Sequence, residues 1–404
     1  MSRSSRPLER YSFPSGRQLW HDGDKFTPSL GCDNCHYREQ CGGLRVKAQV
    51  FDCASFCRCI APDRCDNVCP KNLPHLVARL QEVKTLTLAN LESTRALTTL
   101  DLPSLVPMIY HSAARTEVPA VNVVALPLHE LIKKDAGELR FRTREDIATR
   151  FGISMDGDII LSGTDIDRAL ERWWNLKDRR AIARQLAQLG VRLITAPNFS
   201  LFNDVPRLDN LYNMKRIAMC SAEIQSAGLH CAVHLNARTE RDWENWAEFL
   251  QKHTEFAYVA FEFGTGAVAT PRFPWHVQQL CKLTERICRP LHLIVRGGLQ
   301  ALARLGKAYD SVSVIDTASF IRAHRRRRAR ICEGTLKWDE ALTLPGQPID
   351  DLLDENISTM SEYVCSQIGP KARSSVKLKR SSTLTYNVDE EALESTCLTE
   401  MHRH

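Results

Sequence analysis

From about residue 105, short runs of apolar and β-branched residues alternate with longer stretches whose apolar positions recur every three to four residues. The short runs read VPMIYHS (106–112), VNVVALPL (121–128), GDIILSG (157–163), VRLITAPNF (191–199), LHCAVHLNA (229–237), FAYVAFEFG (256–264), PLHLIVRGG (290–298) and DSVSVIDTAS (310–319). Their nearly continuous apolarity suits parallel strands buried on both faces. Residues 165–190, 207–228, 239–253 and 274–289 carry the amphipathic period of helices. Eight strands in this alternation predict an α/β fold, a (β/α)8 barrel with one irregular crossover among the first three strands. An open doubly wound sheet is the alternative. No G-x-G-x-x-G or Walker loop follows any of the runs, which favours the barrel.

The pattern also divides the chain. Residues 1–31 form an N-terminal extension and 32–72 a cysteine-rich module. Residues 73–104 are a helical linker, because HLVARLQEVKTLTLANLE (75–92) has helical spacing. The barrel is expected over 105–345, and 346–404 supplies one closing helix followed by a polar, aperiodic tail expected to be disordered. At 404 residues and 43% hydrophobic content the chain is long enough for a small module plus one large domain. No stretch suits a signal peptide or a membrane span, so a soluble, cytoplasmic protein is expected. A net charge of +6 is modest for this length and does not by itself argue for nucleic acid.

Cysteine changes the picture. Eight of the fifteen cysteines, Cys32, Cys35, Cys41, Cys53, Cys57, Cys59, Cys65 and Cys69, fall in one short segment. Thiols this dense in a reducing compartment point to a metal. One or two iron–sulfur clusters, of the 4Fe–4S kind, suit the irregular spacing and the terminal Cys69-Pro70. Zinc is the alternative, although only Cys32 and Cys35 form a C-x2-C knuckle, and a disulfide or unmetallated knot stays open. The start of the segment, followed by Gly42-Gly43, resembles the auxiliary-cluster domain of some radical enzymes. The radical S-adenosylmethionine signature C-x3-C-x2-C is absent, since Cys53, Cys57 and Cys59 give C-x3-C-x-C. The remaining cysteines are scattered, and most suit buried small hydrophobes.

In a parallel barrel the chemistry sits at the carboxyl ends of the strands. Those ends carry His111 and Ser112; Ser162, Thr164, Asp165 and Asp167; Asn198, Ser200, Asn203 and Asp204; His234 and Asn236; Glu262, Gly264, Thr265 and Gly266; Arg296, Gly297 and Gly298; and Asp316, Thr317 and Ser319. Thr164, Asp165 and Asp204 serve equally as helix N-caps. Glu262 and Asp316 each follow an apolar run directly and suit nucleophilic or acid–base work, with His234 at a comparable place. His234 could equally be a hydrogen-bonded core residue. Arg322, Arg325, Arg326, Arg327, Arg328 and Arg330 fall within nine residues. This density suits phosphate oxygens, or a solvated helix face.

Two resemblances add to this reading. Residues 191–243, with the PNFSLF-D-P entry and the following strand ending in H-x-N, resemble an uncharacterised bacterial and phage family of unknown function. Residues 291–337, LHLIVRGGLQALARLGKAYDSVSVIDTASFIRAHRRRRARICEGTLK, are similar in layout to the last barrel strands of the tRNA-guanine transglycosylase family and its DNA-modifying relatives. That resemblance implies that Asp316 attacks the anomeric carbon and that Gly297 and Gly298 lie near the base pocket. The family's C-x-C-x2-C zinc spacing is missing after Cys332. The expectation is a nucleic-acid base-modifying enzyme acting on tRNA or DNA. Asp316 would be nucleophile or base, with Glu262 or Asp165 as second carboxylate. Asn198, Ser200, Asn236, Gly297, Gly298 and Ser319 would bind substrate, and the Arg run would clamp phosphates. An iron–sulfur enzyme acting on a small molecule and a non-catalytic nucleic-acid-binding protein are the alternatives.

Overall fold

All eight apolar runs pair as strands, and every pairing between them is parallel. The computed structural model describes residues 81–88, 91–133, 137–201, 207–264, 273–342 and 346–369, together with a short antiparallel pairing of Thr27–Pro28 with Arg45–Val46. The eight clustered cysteines and residues 370–404 lie outside the described residues.

The sheet contains β1 (Leu105–Pro107), β2 (Val123–Pro127), β3 (Asp158–Ser162), β4 (Val191–Thr195), β5 (His230–His234), β6 (Tyr258–Glu262), β7 (His292–Arg296) and β8 (Ser311–Asp316). Its order is β1-β8-β7-β6-β5-β4-β3-β2. A parallel bridge between Met108 and Ala125, with the Ile109 N–H donating to the Ala125 carbonyl at 2.9 Å, joins the two ends and closes the barrel. The expected irregular crossover is the β1–β2 connection, where no helix forms. The helices α1 (Arg144–Phe151), α2 (Asp167–Trp174), α3 (Arg179–Gln188), α4 (Arg207–Ser226), α5 (Glu240–Lys252), α6 (Phe273–Ile287), α7 (Leu302–Ala308) and α8 (Ala318–His324) follow the strands in chain order.

Local chemistry sets the boundaries. Thr143 and Asp146 form a capping box at the start of α1, and Gly152 ends that helix in the left-handed region. Thr239 and Asp242 do the same for α5, and the Asp242 carboxylate also accepts from the Arg238 N–H at 2.8 Å, tying the β5 exit loop to the helix. The region expected as one helix over 165–190 breaks into α2 and α3 because Asp178 caps a new start, accepting from the Ala181 N–H at 2.9 Å.

Two cores follow from the period-two alternation of strand side chains. One fills the barrel interior with Val106, Met108, Val123, Ala125, Ile160, Leu193, Ala232, Tyr258, Ala260, Ile294 and Ile315. The other lies between strands and helices and includes Leu126, Leu161, Ile194, Val233, Phe263, Val295 and Val314.

One expectation about the flanks changes. The described part of the linker is helical only at residues 81–83, and residues 91–104 run without helix. Leu102 enters the barrel interior, while the Tyr258 hydroxyl donates to the Leu100 carbonyl at 3.0 Å. The segment therefore crosses the amino-terminal end of the barrel, where it gives Tyr258 a partner for its hydroxyl and lines one side of a cavity of about 450 Å³. At the other end of the chain, the expected closing helix forms as α9 (Asp350–Ile368). Leu353, Ile357, Met360 and Val364 are buried in the outer core, and Asp350 binds the Thr116 N–H at 2.8 Å. Among the described residues no helix is long and apolar enough to cross a membrane.

Candidate active site

Side-chain parity selects which residues face the barrel mouth. Val106 and Met108 point inward, so the next inward position on that strand is Tyr110. His111 instead pairs its Nδ1 with the Arg150 carbonyl at 2.9 Å, and Ser112 accepts from the Ala114 N–H at 3.1 Å. By the same parity His234 follows Ala232, Glu262 follows Ala260 and Arg296 follows Ile294. On β8 the inward residue is Ile315, which leaves Asp316 on the outward set with Val314.

The close approach of β3 and β4 aims the first mouth loop. A Cβ on Gly163 would stand 2.2 Å from the Thr195 carbonyl oxygen, so only glycine fits. Its N–H donates to Thr195 Oγ1 at 2.8 Å, and the chain then presents Thr164 and Asp165. Neither caps α2, whose N-cap position is Ile166 without a side-chain bond. Asp165 instead pairs with His129 and accepts from the Ile166 N–H at 2.7 Å. These bonds outweigh partial burial and hold its carboxyl below the usual range.

Glu262 is set the other way. Its side chain is 2% exposed. Burial raises its pKa, against the opposing pull of Arg296, the Gly264 N–H and Thr164. Oε1 accepts from Gly264 at 2.6 Å, whereas Oε2 is buried without a hydrogen bond and has Arg296 Nε at 3.6 Å. The Arg296 guanidinium also reaches the Thr164 carbonyl at 3.4 Å. His234 is 4% exposed; its Nδ1 meets the Ala196 carbonyl at 2.6 Å, and burial lowers its pKa to about 4. That bond assigns the proton to Nδ1 and leaves Nε2 as an acceptor, 3.4 Å from the Thr164 hydroxyl. Tyr110 lies near Arg296, Asp165, Asp316 and Glu262, and burial raises its pKa.

A cavity of about 100 Å³ opens here, lined by Thr164, Asp165, Asn198, Ser200, Leu201, His234, Leu235, Asn236, Ala237, Arg238, Phe261, Glu262 and His276. Six of the expected site residues thus meet at one place: Asp165, Asn198, Ser200, His234, Asn236 and Glu262. Ser200 donates to Asp167 at 2.7 Å. Asn203, Asp204, Thr265 and Gly266 lie outside the described residues.

The other expected residues are placed differently. Asp316 accepts from the N–H groups of Ala318 at 2.7 Å and Ser319 at 3.1 Å, holding the first turn of α8. Burial raises its pKa despite those bonds. Ser319 is wholly buried, with its carbonyl facing Asn356 Nδ2 at 3.5 Å. Gly297 and Gly298 are both left-handed, at φ 73° and 70°, and a Cβ on Gly298 would stand 2.5 Å from the Phe263 ring. They let the β7 exit close over the β6 exit and do not line the cavity.

The Arg run is not one helix face. Arg322 lies in the last turn of α8 and over the Trp338 ring, Arg325 caps that helix, and Arg327, Arg328 and Arg330 lie in a hairpin of β9 (Arg327–Cys332) and β10 (Thr335–Glu340). Arg327 meets Glu340 at 3.3 Å, Arg330 meets Asp339 at 2.9 Å and Arg328 meets Glu355 of α9 at 3.0 Å. Arg326 binds the Gln347 and Pro348 carbonyls, while Arg325 is exposed. The acidic partners come from across the hairpin and from α9.

The sequence reading missed Tyr110 and His129. Parity along β1 pointed to Tyr110, whereas His129 lies in a short 3-10 turn with no pattern to mark it.

The eight clustered cysteines lie outside the described residues. Among the described residues no group of three His, Cys, Asp or Glu side chains is placed to hold a metal. Cys220 and Cys231 are buried with thiols raised by burial, as small hydrophobes would be.

No family model matches the chain, and no curated protein matches it. Among solved structures it is similar to one described as the crystal structure of Mandelate oxidase with (S)-2-phenylpropionate. The identity is 12% and the TM-score 0.31, over 74% of this chain and 88% of that one.

Proposed function

We propose that this protein is an acid–base enzyme working at the carboxyl-end mouth of the barrel, where it breaks or exchanges the bond between a sugar and a nitrogenous base. The observation that carries the reading is the opposite setting of two carboxyl groups on one cavity: burial favours the protonated form of Glu262, while hydrogen bonds keep Asp165 ionised. Two titratable groups driven apart by their surroundings are the usual arrangement for an acid and its counter-charge. Glu262 gives its proton to the departing base nitrogen as the carbon–nitrogen bond breaks. Asp165 faces the positive charge that grows on the sugar carbon, and His129 orients it. Attack by water or by an incoming base then forms the new bond, and the proton lost by that nucleophile returns to Glu262. Arg296, beside Glu262, steadies the carboxylate between the two steps.

Asp316 takes no part in this scheme, because both of its oxygens are engaged by the start of α8. In the same proposal the base belongs to a tRNA or DNA chain, with the exposed Arg325 nearest in character to a phosphate contact. The cysteine-rich segment is a metal-binding module, iron–sulfur rather than zinc.

The experiment is a release assay on nucleosides and oligonucleotides with the wild type, Glu262→Gln and Asp165→Asn. Loss of at least about a hundredfold in each variant, with folding retained, is the expected result. Equal rates in wild type and Glu262→Gln would overturn the assignment.

A further inference from the structure

The carboxamides of Asn198 and Asn236 lie side by side in the cavity wall. Asn236 Nδ2 donates to the Phe199 carbonyl and to Asn198 Oδ1, both at 3.1 Å. Those two bonds fix the identity of all four amide atoms: Asn236 Nδ2 is held by a carbonyl that can only accept, and Asn198 Oδ1 by a group that can only donate. The Asn198 N–H donates to the Gly163 carbonyl at 2.9 Å, and the Ser200 carbonyl accepts from Asn213 Nδ2 at 2.7 Å, so the loop that carries the pair is anchored on both sides. Among the described residues no bond uses the remaining two atoms, Asn198 Nδ2, a donor, and Asn236 Oδ1, an acceptor. Both residues are only partly buried and line the cavity. A second observation points to a ligand at the same place: Glu262 Oε2, on a side chain 2% exposed, is buried there with no hydrogen bond.

We infer that Asn198 and Asn236 read the lactam edge of a single-ring ligand, its ring N–H donating to Asn236 Oδ1 and its adjacent carbonyl accepting from Asn198 Nδ2. The inference rests on the cavity being the working site proposed above, and it names the part of the substrate that the site recognises. A bonded pair of amides that leaves one donor and one acceptor over suits a ligand group that offers one acceptor and one donor, as a cis-amide in a ring does. Size limits the ligand to one ring at most, since the cavity, about 100 Å³, is smaller than the roughly 150 Å³ cavity that admits benzene. Leu201 and Phe261 supply apolar wall, as a flat ligand requires. A free pyrimidine base, a pyrimidine nucleoside or a simple lactam would present the same edge.

The test measures binding to the full chain by calorimetry, with uracil, uridine, 2-pyrrolidone and 1,3-dimethyluracil as probes. Uracil should bind and 1,3-dimethyluracil, which keeps the carbonyls and loses both N–H groups, should bind at least about tenfold more weakly. Asn198→Asp keeps the acceptor that Asn236 uses and replaces the donor with a carboxylate oxygen, so uracil affinity should fall by about tenfold or more. Uridine binding tighter than uracil, with the same dependence on Asn198, would identify the nucleoside as the source. Binding of 2-pyrrolidone alone would identify a simple lactam. Should Asn198→Asp not fold, the side-chain amide signals of Asn198 and Asn236 in the wild type must shift on adding uracil. Equal affinity for uracil and 1,3-dimethyluracil, or unshifted amide signals at saturation, would overturn the inference. If none of these probes binds while Glu262→Gln still abolishes release of some base, the lactam edge is refuted and the acid–base reading stands.

Discussion

At Glu262 burial and the Arg296 guanidinium pull the carboxyl proton in opposite directions, and burial prevails. The folded state then holds that proton more tightly than the unfolded chain. Its contribution to stability is full below the unfolded value of about 4.3 and is lost as pH rises through the folded value. Glu262→Gln is therefore expected to melt above the wild type at about pH 7 and level with it at about pH 3, which a Tm series across pH will show. His234 and His292 act oppositely. Each is lowered to about 4 by burial, so both proteins lose stability together as pH falls from about 6.5 toward 4. Asp316 yields a second prediction. As the group holding the first turn of α8 it should tolerate Asn, which keeps an acceptor, while Asp316→Ala should cost about 1 kcal/mol in chemical denaturation. Base release should be unchanged in Asp316→Asn. The contrast between these carboxylates was present in the sequence. Tyr258, Ala260 and Glu262 share one parity, whereas Asp316 falls out of step with the inward Ile315. Position at a strand end was legible, and direction required counting back to the residues that fill the barrel.

Among elements, the eight strands were legible because a strand buried on both faces leaves an unbroken apolar run. The path of residues 91–104 was not, because a segment that crosses a barrel end needs only a few apolar anchors and no period. Leu102 is such an anchor, 8% exposed among the interior side chains. Leu102→Ala should cost about 3 kcal/mol in denaturant unfolding, as a cavity beside Tyr258 would, whereas a strap of little consequence would cost almost nothing. The partners of the arginines were not legible for a related reason: Arg330 faces Asp339 across a hairpin turn and Arg328 faces Glu355 of α9, and such register is set only by the fold. These pairs are exposed, so each contributes under about 1 kcal/mol.

Over the whole molecule, the two barrel ends divide their tasks. Residues 91–104 cross the amino-terminal end, where Leu100, Leu102, Tyr258 and His292 line a cavity of about 450 Å³, and the carboxyl end holds the smaller cavity with Glu262, Asp165, Asn198 and Asn236. The cysteine-rich segment precedes the strap in the chain. Protein purified without oxygen is expected to contain iron with acid-labile sulfide and to absorb broadly near ~400 nm. Stoichiometric zinc in colourless protein would replace the cluster with a structural zinc site. The proposed chemistry depends most directly on the protonation of one carboxyl group. Carbon NMR of the full chain, labelled at glutamate and aspartate side-chain carboxyls and assigned with Glu262→Gln and Asp165→Asn, follows both groups through pH. If the proposed acid–base mechanism holds, Glu262 titrates above the ordinary glutamate value of about 4.3 and Asp165 below the ordinary aspartate value of about 3.9. Glu262 titrating at or below its ordinary value would contradict it.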